Sequence, residues 1–107
     1  MALRLAIVLV ALRYLDASCS HGEWFRIGAA IHTFTAGSPD GLELYDAWSA
    51  TSWKYPGYRT LERQWGYYFR NGGRRVTIGT LRRYLLEAGI SWTTVLAEAE
   101  SEAGGSF

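Results

Sequence analysis

The sequence is poor in the residues that build disulfides and metal sites. One of its 107 residues is cysteine, Cys19, so no internal disulfide can form and nothing argues for an oxidising compartment. The two histidines, His21 and His32, have only Cys19 nearby in the sequence. A structural zinc site needs four ligands. We therefore expect neither a metal nor a cofactor.

The sequence also lacks an apolar run long enough to cross a bilayer. Its most apolar stretch, residues 1–12, is followed by Leu15-Asp16-Ala17-Ser18-Cys19, which superficially resembles a lipoprotein signal peptide. However, Arg4 and Arg13 interrupt or closely bound the apolar run, and the run is too short to span a membrane. We interpret it as the buried first helix of a cytoplasmic protein that has no membrane partner.

Catalytic patterns are missing as well. No glycine-rich phosphate loop ends in Gly-Lys-Ser or Gly-Lys-Thr, and the Gly-Gly-Arg at 72–74 indicates only a turn. Asp40, Glu43 and Asp46 recur every three residues and could form a magnesium cluster. Two of them, however, fall in the first turns of a predicted helix, where acids favour the helix dipole. We take these acids as a solvated face, and we predict that the domain is not an enzyme.

No convincing alternating strand occurs, and helical periodicity dominates the chain. Glycine and proline divide it into segments, and Ser38, Thr77 and Ser91 stand where helix caps are expected. The predicted helices cover Leu3 to Tyr14, Glu23 to Phe34, Pro39 to Ser49, Tyr58 to Phe69, Ile78 to Ala88, and a segment after Ser91. The fold class is therefore all-α, a compact bundle of five to six short helices, with room for a minimal strand pair near 74–76. Residues 1–103 form a single domain in this prediction, and residues 104–107 form a flexible tail.

The net charge of +1 conceals a strong partition along the chain. Residues 1–53 carry three arginines against five acids, and residues 84–107 carry four acids and no base. Residues 54–83 carry eight bases against one acid, which is a local charge of +7. This segment is the place where a polyanion would bind.

The fourth predicted helix carries an arginine stripe. At 100° per residue Arg59, Arg63 and Arg70 fall on one side, Leu61 and Trp65 fall on the opposite side, and Tyr67 lies on the border. Arginine beside exposed aromatic rings is typical of single-strand nucleic-acid binding. The candidate contacts are Arg59, Arg63, Arg70, Arg74, Arg75, Arg82 and Arg83, with Lys54 peripheral and Tyr67 as a stacking ring. A solvated basic face is the alternative.

Several short motifs, each weak alone, occur in a specific order and spacing. They are Trp24-Phe25-Arg26-Ile27-Gly28-Ala29-Ala30, Tyr45-Asp46-Ala47-Trp48-Ser49 with Lys54-Tyr55, Trp65 with Phe69, and Val76-Thr77-Ile78-Gly79-Thr80-Leu81. Together they resemble the primase C-terminal type 2 domain, over roughly residues 3–90. Most of these positions are typical of structural residues. We expect Trp24, Trp48 and Trp65 to anchor the core, Gly28 to allow a close helix contact, and Thr77 to cap a helix.

The resemblance implies a helix-bundle accessory domain of phage or plasmid primases and primase-helicases. Such a domain would help to hold single-stranded template and the initiating nucleotide, or would couple priming to the helicase. The implied partners are single-stranded DNA and the primase catalytic or helicase domain of the same or a neighbouring protein. Neither domain lies within these 107 residues, so we expect an excised fragment or a stand-alone remnant of a primase or primase-helicase.

Two other functions remain open at this point. The chain could be a docking module that joins primase to helicase through an apolar patch of Leu5, Val8, Leu9 and Leu12. It could also bind duplex DNA, with the fourth and fifth helices acting as a helix-turn-helix. The stretch from Arg70 to Thr77 is longer than the usual turn of that motif, which makes this third function the weakest of the three.

Overall fold

The computed structural model describes residues 1–69 and 76–104, and within these residues it contains six α-helices and no strand. The helices are α1 (Leu3–Arg13), α2 (His21–Phe34), α3 (Pro39–Ser49), α4 (Tyr58–Arg63), α5 (Ile78–Glu87) and α6 (Trp92–Gly104). After α4 the chain continues as a π-helical segment over Gln64–Tyr68. The predicted all-α bundle is confirmed. Of the suggested strand pair only Val76 is described, and it lies in no strand.

Three helices follow an N-cap serine whose Oγ accepts a backbone N–H from the first turn. This bond satisfies one of the donors that a helix start leaves unpaired. The bonds run from Glu23 to Ser20 at 3.2 Å, from Gly41 to Ser38 at 3.1 Å, and from Thr94 to Ser91 at 3.2 Å. The cap at Ser20 was not predicted, and because of it α2 begins at His21 rather than at Glu23.

Helix α5 begins and ends with different chemistry. Thr77 occupies the N-cap position, but its side chain makes no cap hydrogen bond, which differs from the expected role. Its carbonyl oxygen instead accepts the N–H of Thr80 at 3.0 Å. After α5, Gly89 has a φ of +85°, a left-handed conformation that glycine adopts without strain and that ends a helix.

Helix α1 packs along α6 and against α3, and this packing joins the two ends of the described chain. Arg13 at the end of α1 forms a 2.6 Å ion pair with Glu102 of α6. Val8 and Leu12 are buried, whereas Leu5 and Leu9 are half-buried. Two of the four residues of the alternative docking patch are therefore buried, because α6 and α3 pack on α1. No helix within residues 1–69 and 76–104 is long and apolar enough to cross a bilayer.

Tyr45 of α3 lies at the centre of an aromatic core. Its ring stacks on Trp24 of α2 with centroids 5.4 Å apart, and on Trp48 and Trp65 at 6.2 Å each. The Tyr45 hydroxyl donates to the Trp24 carbonyl oxygen at 3.0 Å. Burial raises the pKa of Tyr45 far above its ordinary value, so the phenol stays protonated. The core therefore brings α2, α3 and the segment after α4 together around one ring.

Gly28 makes this arrangement possible. A Cβ atom built at Gly28 would lie 2.3 Å from Cζ of Tyr45, so only glycine lets α2 approach the ring this closely. Trp24, Trp48 and Trp65 are all buried. Each indole N–H has an acceptor: Ser49 Oγ at 2.8 Å, the Leu15 carbonyl at 2.9 Å and the Gly37 carbonyl at 3.1 Å, respectively. These hydrogen bonds remove the cost of burying the polar edge of each ring.

Candidate nucleic-acid interface

Helix α4 and the π-helical segment after it have a buried side and an exposed side. Leu61 and Trp65 are buried against the core, as the helical periodicity predicted. Arg59 and Arg63 are exposed on another side, and Tyr67 is 61% exposed one further four-residue step along the chain. Two cations and an aromatic ring thus recur every four residues on the surface of α4 and the π-helical segment. We call Arg59, Arg63 and Tyr67 the α4 stripe.

The π-helical segment changes the geometry assumed for Arg70. A projection at 100° per residue assumes α-helical turns throughout, whereas Gln64–Tyr68 forms the wider turn of a π-helix. The projection therefore holds only as far as Gln64. Arg70 itself, together with Arg74 and Arg75, lies outside the described residues.

The arginines of α5 lie on a helix that packs against different elements from those that α4 packs against. Helix α5 packs on α2 and α6, whereas α4 packs on α3. Arg82 and Arg83 are exposed. The Arg82 guanidinium carbon lies 5.3 Å from the centroid of the Trp92 ring, and that of Arg83 lies 5.4 Å from the Tyr84 ring. Both guanidinium groups therefore lie beside aromatic rings, one of α6 and one buried in α5.

These arginines have no acidic partner in the described part of the chain. The ion pair found there joins Arg13 to Glu102, and none joins Arg59, Arg63, Arg82 or Arg83 to a carboxylate within residues 1–69 and 76–104. An arginine engaged with a carboxylate would have to break that pair before binding a phosphate. The exposed arginines of α4 and α5 do not carry this cost.

The loop between α3 and α4 holds an aromatic residue that the sequence reasoning missed. Trp53 is 85% exposed, and Nζ of Lys54 lies 5.6 Å from its ring centroid. Lys54 Nζ also donates to the carbonyl oxygens of Ser18 and Cys19, at 3.1 and 3.2 Å. A signal was available, since Trp53 stands in a loop beside a lysine with no helical periodicity to bury it. The flat, exposed ring is a second candidate for stacking.

The acids of α3 do not gather into a metal site in the described structure. No group of three or more histidine, cysteine, aspartate or glutamate side chains that could hold a metal occurs within those residues. Asp40 and Glu43 are exposed, whereas Asp46 accepts a 2.5 Å hydrogen bond from the Tyr55 hydroxyl. This bond raises the pKa of Tyr55 to about 12, because ionisation would place two anions in contact. Asp46 and Tyr55 thus tie the loop before α4 to α3.

One comparison with known proteins identifies a related family. The model of the family described as Primase C terminal 2 (PriCT-2) matches residues 8–84, from α1 into α5, which is more than half of the chain. Comparison with curated proteins and with solved structures finds no match. The matched range contains the aromatic core, Gly28 and the α4 stripe.

Proposed function

Because the chain belongs to the primase C-terminal 2 family, we propose that it is a non-catalytic accessory domain that holds single-stranded template for a primase. The family assignment makes it a primase-associated C-terminal domain. The template-holding role, and a primase or primase-helicase of a phage or plasmid as its context, are our proposal. The initiating nucleotide would lie along the same held strand.

The observation that carries this proposal is the α4 stripe. Arg59 and Arg63 are exposed and form no ion pair with any described acid, and Tyr67 in the π-helical segment that follows is 61% exposed. Arginine binds phosphate oxygens through a planar fork of donors, and an exposed ring stacks on a base without selecting its sequence. Contacts of these two kinds together suit a single strand, whose bases are free to stack.

The other candidate residues extend this contact. Lys54 and Trp53 precede α4, and Arg82 and Arg83 offer a second pair of cations on α5. Arg70, Arg74 and Arg75 belong to the proposal on the strength of their charge and position in the sequence. Neutralising about three or four phosphates on a single strand gives a log–log salt slope of roughly −2 to −3.

The test is a titration of tryptophan fluorescence with single-stranded and duplex DNA at two salt concentrations. We expect single-strand preference and weaker binding at the higher salt concentration. Arg59→Ala combined with Arg63→Ala should weaken binding for all sequences and reduce the salt slope by about 1.4, since each single-strand phosphate contact contributes about 0.7. The fold should remain intact because both side chains are exposed.

A matched control removes the same charge elsewhere. Arg4 and Arg13 of α1 are also exposed, and Arg4→Ala with Arg13→Ala lowers the net charge equally outside the basic segment; it also removes the Arg13–Glu102 ion pair, so the fold of this control is checked first by circular dichroism. This control should leave most of the affinity and the slope in place. An unchanged dissociation constant in the α4 double variant, or an equal loss in the control, would refute the assignment to α4. Preference for duplex DNA would instead support the helix-turn-helix alternative.

A further inference from the structure

Trp53 is the most exposed of the five tryptophans. It lies 85% exposed in the loop between α3 and α4, residues 50–57, which we call the Trp53 loop. Trp24, Trp48 and Trp65 are buried, and Trp92 is half-buried. A single exposed apolar side chain needs no functional explanation by itself. Trp53 differs from such a side chain because the backbone on both sides of it is held in place.

The Trp53 loop is tied to the loop between α1 and α2. Ser18 Oγ donates to Ser52 Oγ at 3.0 Å, and Ser52 Oγ also accepts the backbone N–H of Lys54 at 3.0 Å. Lys54 Nζ donates to the carbonyl oxygens of Ser18 and Cys19, at 3.1 and 3.2 Å. These bonds hold the residue before Trp53 and the residue after it. An aromatic ring on a backbone fixed in this way loses little conformational freedom when it binds a ligand.

Lys54 also acts on the Trp53 ring itself. Its ammonium lies over the ring, 5.6 Å from the centroid, and a cation at this distance is attracted to an aromatic face. The same ammonium spends two of its three donors on the carbonyl oxygens of Ser18 and Cys19. Lys54 therefore holds both the loop and one side of the ring. The other face stays accessible, since Trp53 is 85% exposed.

We propose that Trp53 stacks on one unpaired base through the ring face opposite Lys54, and that Lys54 positions this ring instead of binding a phosphate. This inference rests on the single-strand binding proposed above. The basic segment of residues 54–83 begins next to Trp53, and Arg59 of the α4 stripe follows six residues later, so a strand drawn to these charges passes close to the ring. Every unpaired base has a face that can stack, so Trp53 should select single strands without selecting a base.

The test compares two labelled strands of equal length by fluorescence anisotropy, an oligothymidylate and a strand without bases. Trp53→Ala should weaken binding of the oligothymidylate by about five- to tenfold, the lower end of the range for a base stacked on an aromatic ring. Binding of the abasic strand and the salt slope should not change, because the phosphate contacts remain. No loss, or an equal loss on both strands, would overturn the stacking.

Two further variants serve as controls. Trp53→Phe keeps an aromatic ring and should retain most of the affinity for the oligothymidylate. Leu86→Ala removes another large apolar side chain, which is 70% exposed on α5, and should bind both strands as the unaltered chain does. A loss in Leu86→Ala as large as in Trp53→Ala would show that exposed apolar area, and not stacking, decides the affinity.

Lys54→Met separates positioning from phosphate binding. It should weaken binding of the oligothymidylate by about two- to fivefold, the effect of losing an exposed cation–ring contact. This loss should disappear when Trp53→Ala is also present, because Lys54 acts through the ring. A loss that persists in the double variant, with a salt slope lower by about 0.7, would make Lys54 a phosphate contact and overturn its positioning role.

Protein fluorescence gives an independent measurement. The oligothymidylate should quench the emission of the unaltered chain, and Trp53→Phe should still bind but lose most of this quenching, because three of the other tryptophans are buried. Undiminished quenching in Trp53→Phe would overturn the assignment to Trp53. If the unaltered chain binds neither strand, the single-strand proposal fails and the stacking fails with it. If it binds both strands and Trp53→Ala changes neither affinity, only the stacking fails.

Discussion

At the scale of single residues, Tyr45 has the largest structural role in the described chain. It is fully buried, and it contacts the rings of Trp24, Trp48, Trp65 and Phe69. Its hydroxyl donates to the Trp24 carbonyl, so its polar atom is satisfied within the core. A phenol enclosed in this way cannot move aside when a neighbour grows. The core therefore accommodates the Tyr45 ring only because Gly28, the residue that faces the ring, has no side chain.

Gly28→Ala tests this dependence. Alanine normally favours a helix over glycine by up to about 1 kcal/mol, but overpacking a filled core costs about 1–3 kcal/mol. The added methyl would lie 2.3 Å from a ring that is enclosed by three tryptophans, so we expect the overpacking to win. The free energy of unfolding, measured by urea denaturation, should fall by about 1–2 kcal/mol.

Gly66→Ala is the matched control. A Cβ atom at Gly66 meets nothing within 4 Å, and the residue is exposed. The same chemical change should therefore leave the stability unchanged or raise it by up to about 1 kcal/mol. Equal losses at the two glycines would show that backbone preference, and not the contact with Tyr45, decides the effect.

At the scale of helices, the starts of α3 and α5 differ in a way that sequence alone does not reveal. Both have a hydroxyl residue at the N-cap position, Ser38 and Thr77. Ser38 Oγ accepts the N–H of Gly41, whereas the Thr77 side chain makes no such bond. Comparing substitutions at the two positions therefore measures how much the cap hydrogen bond contributes to the free energy of unfolding.

Ser38→Ala should lower the free energy of unfolding by about 1 kcal/mol, because it removes the acceptor for an N–H at the start of α3. Thr77→Ala should change it by less than about 0.5 kcal/mol, since no cap bond is lost. Thermal or urea unfolding of both variants provides the measurement. A loss at Thr77 as large as at Ser38 would contradict the hydrogen bonding described for α5.

At the scale of the whole molecule, α6 closes the bundle although the family match ends before it. The matched range stops at residue 84, whereas α6 spans Trp92–Gly104 and packs along α1. Val95 and Ala99 of α6 are fully buried. The first and last helices therefore stabilise each other, and α6 covers the apolar side of α1 together with α3.

A chain ending at Ile90 should consequently be less stable and should self-associate. Losing the burial of Val95 alone costs about 1.5–3 kcal/mol, and the uncovered side of α1 is apolar. Urea denaturation and sedimentation measure the two effects. A chain ending at Gly104 serves as the control and should match the 107-residue chain, which would support the predicted domain limit near residue 103. A stable monomer ending at Ile90 would show that α6 is dispensable.

Much of this protein was predictable from local patterns. The number of helices, the start of α3 at Pro39 and the glycine after α5 all depend on signals that act within a few residues. Capping, helix periodicity and the conformational freedom of glycine need no knowledge of distant contacts. The family assignment also came from the order of short motifs along the chain.

The candidate site was less predictable. The exposure of Arg59 and Arg63 followed from the helical period, but Trp53 was missed, and Val8 and Leu12 of the alternative docking patch are buried. The hydrogen bonds that fix the Trp53 loop have no sequence signal at all. Whether a side chain is buried or exposed outside a regular helix depends on which distant segment packs on it.

The amino-acid sequence by itself determined the helical class, the family and the concentration of positive charge in residues 54–83. Only the tertiary structure decided that α6 covers α1 and that Tyr45 takes the centre of the core. It alone also fixed the Trp53 loop by hydrogen bonds. The physical reason is the distance in sequence over which each interaction acts. Turns and caps act over three or four residues, whereas the indole N–H of Trp48 donates to the carbonyl oxygen of Leu15, 33 residues away. Contacts of that span exist only once the whole chain has packed.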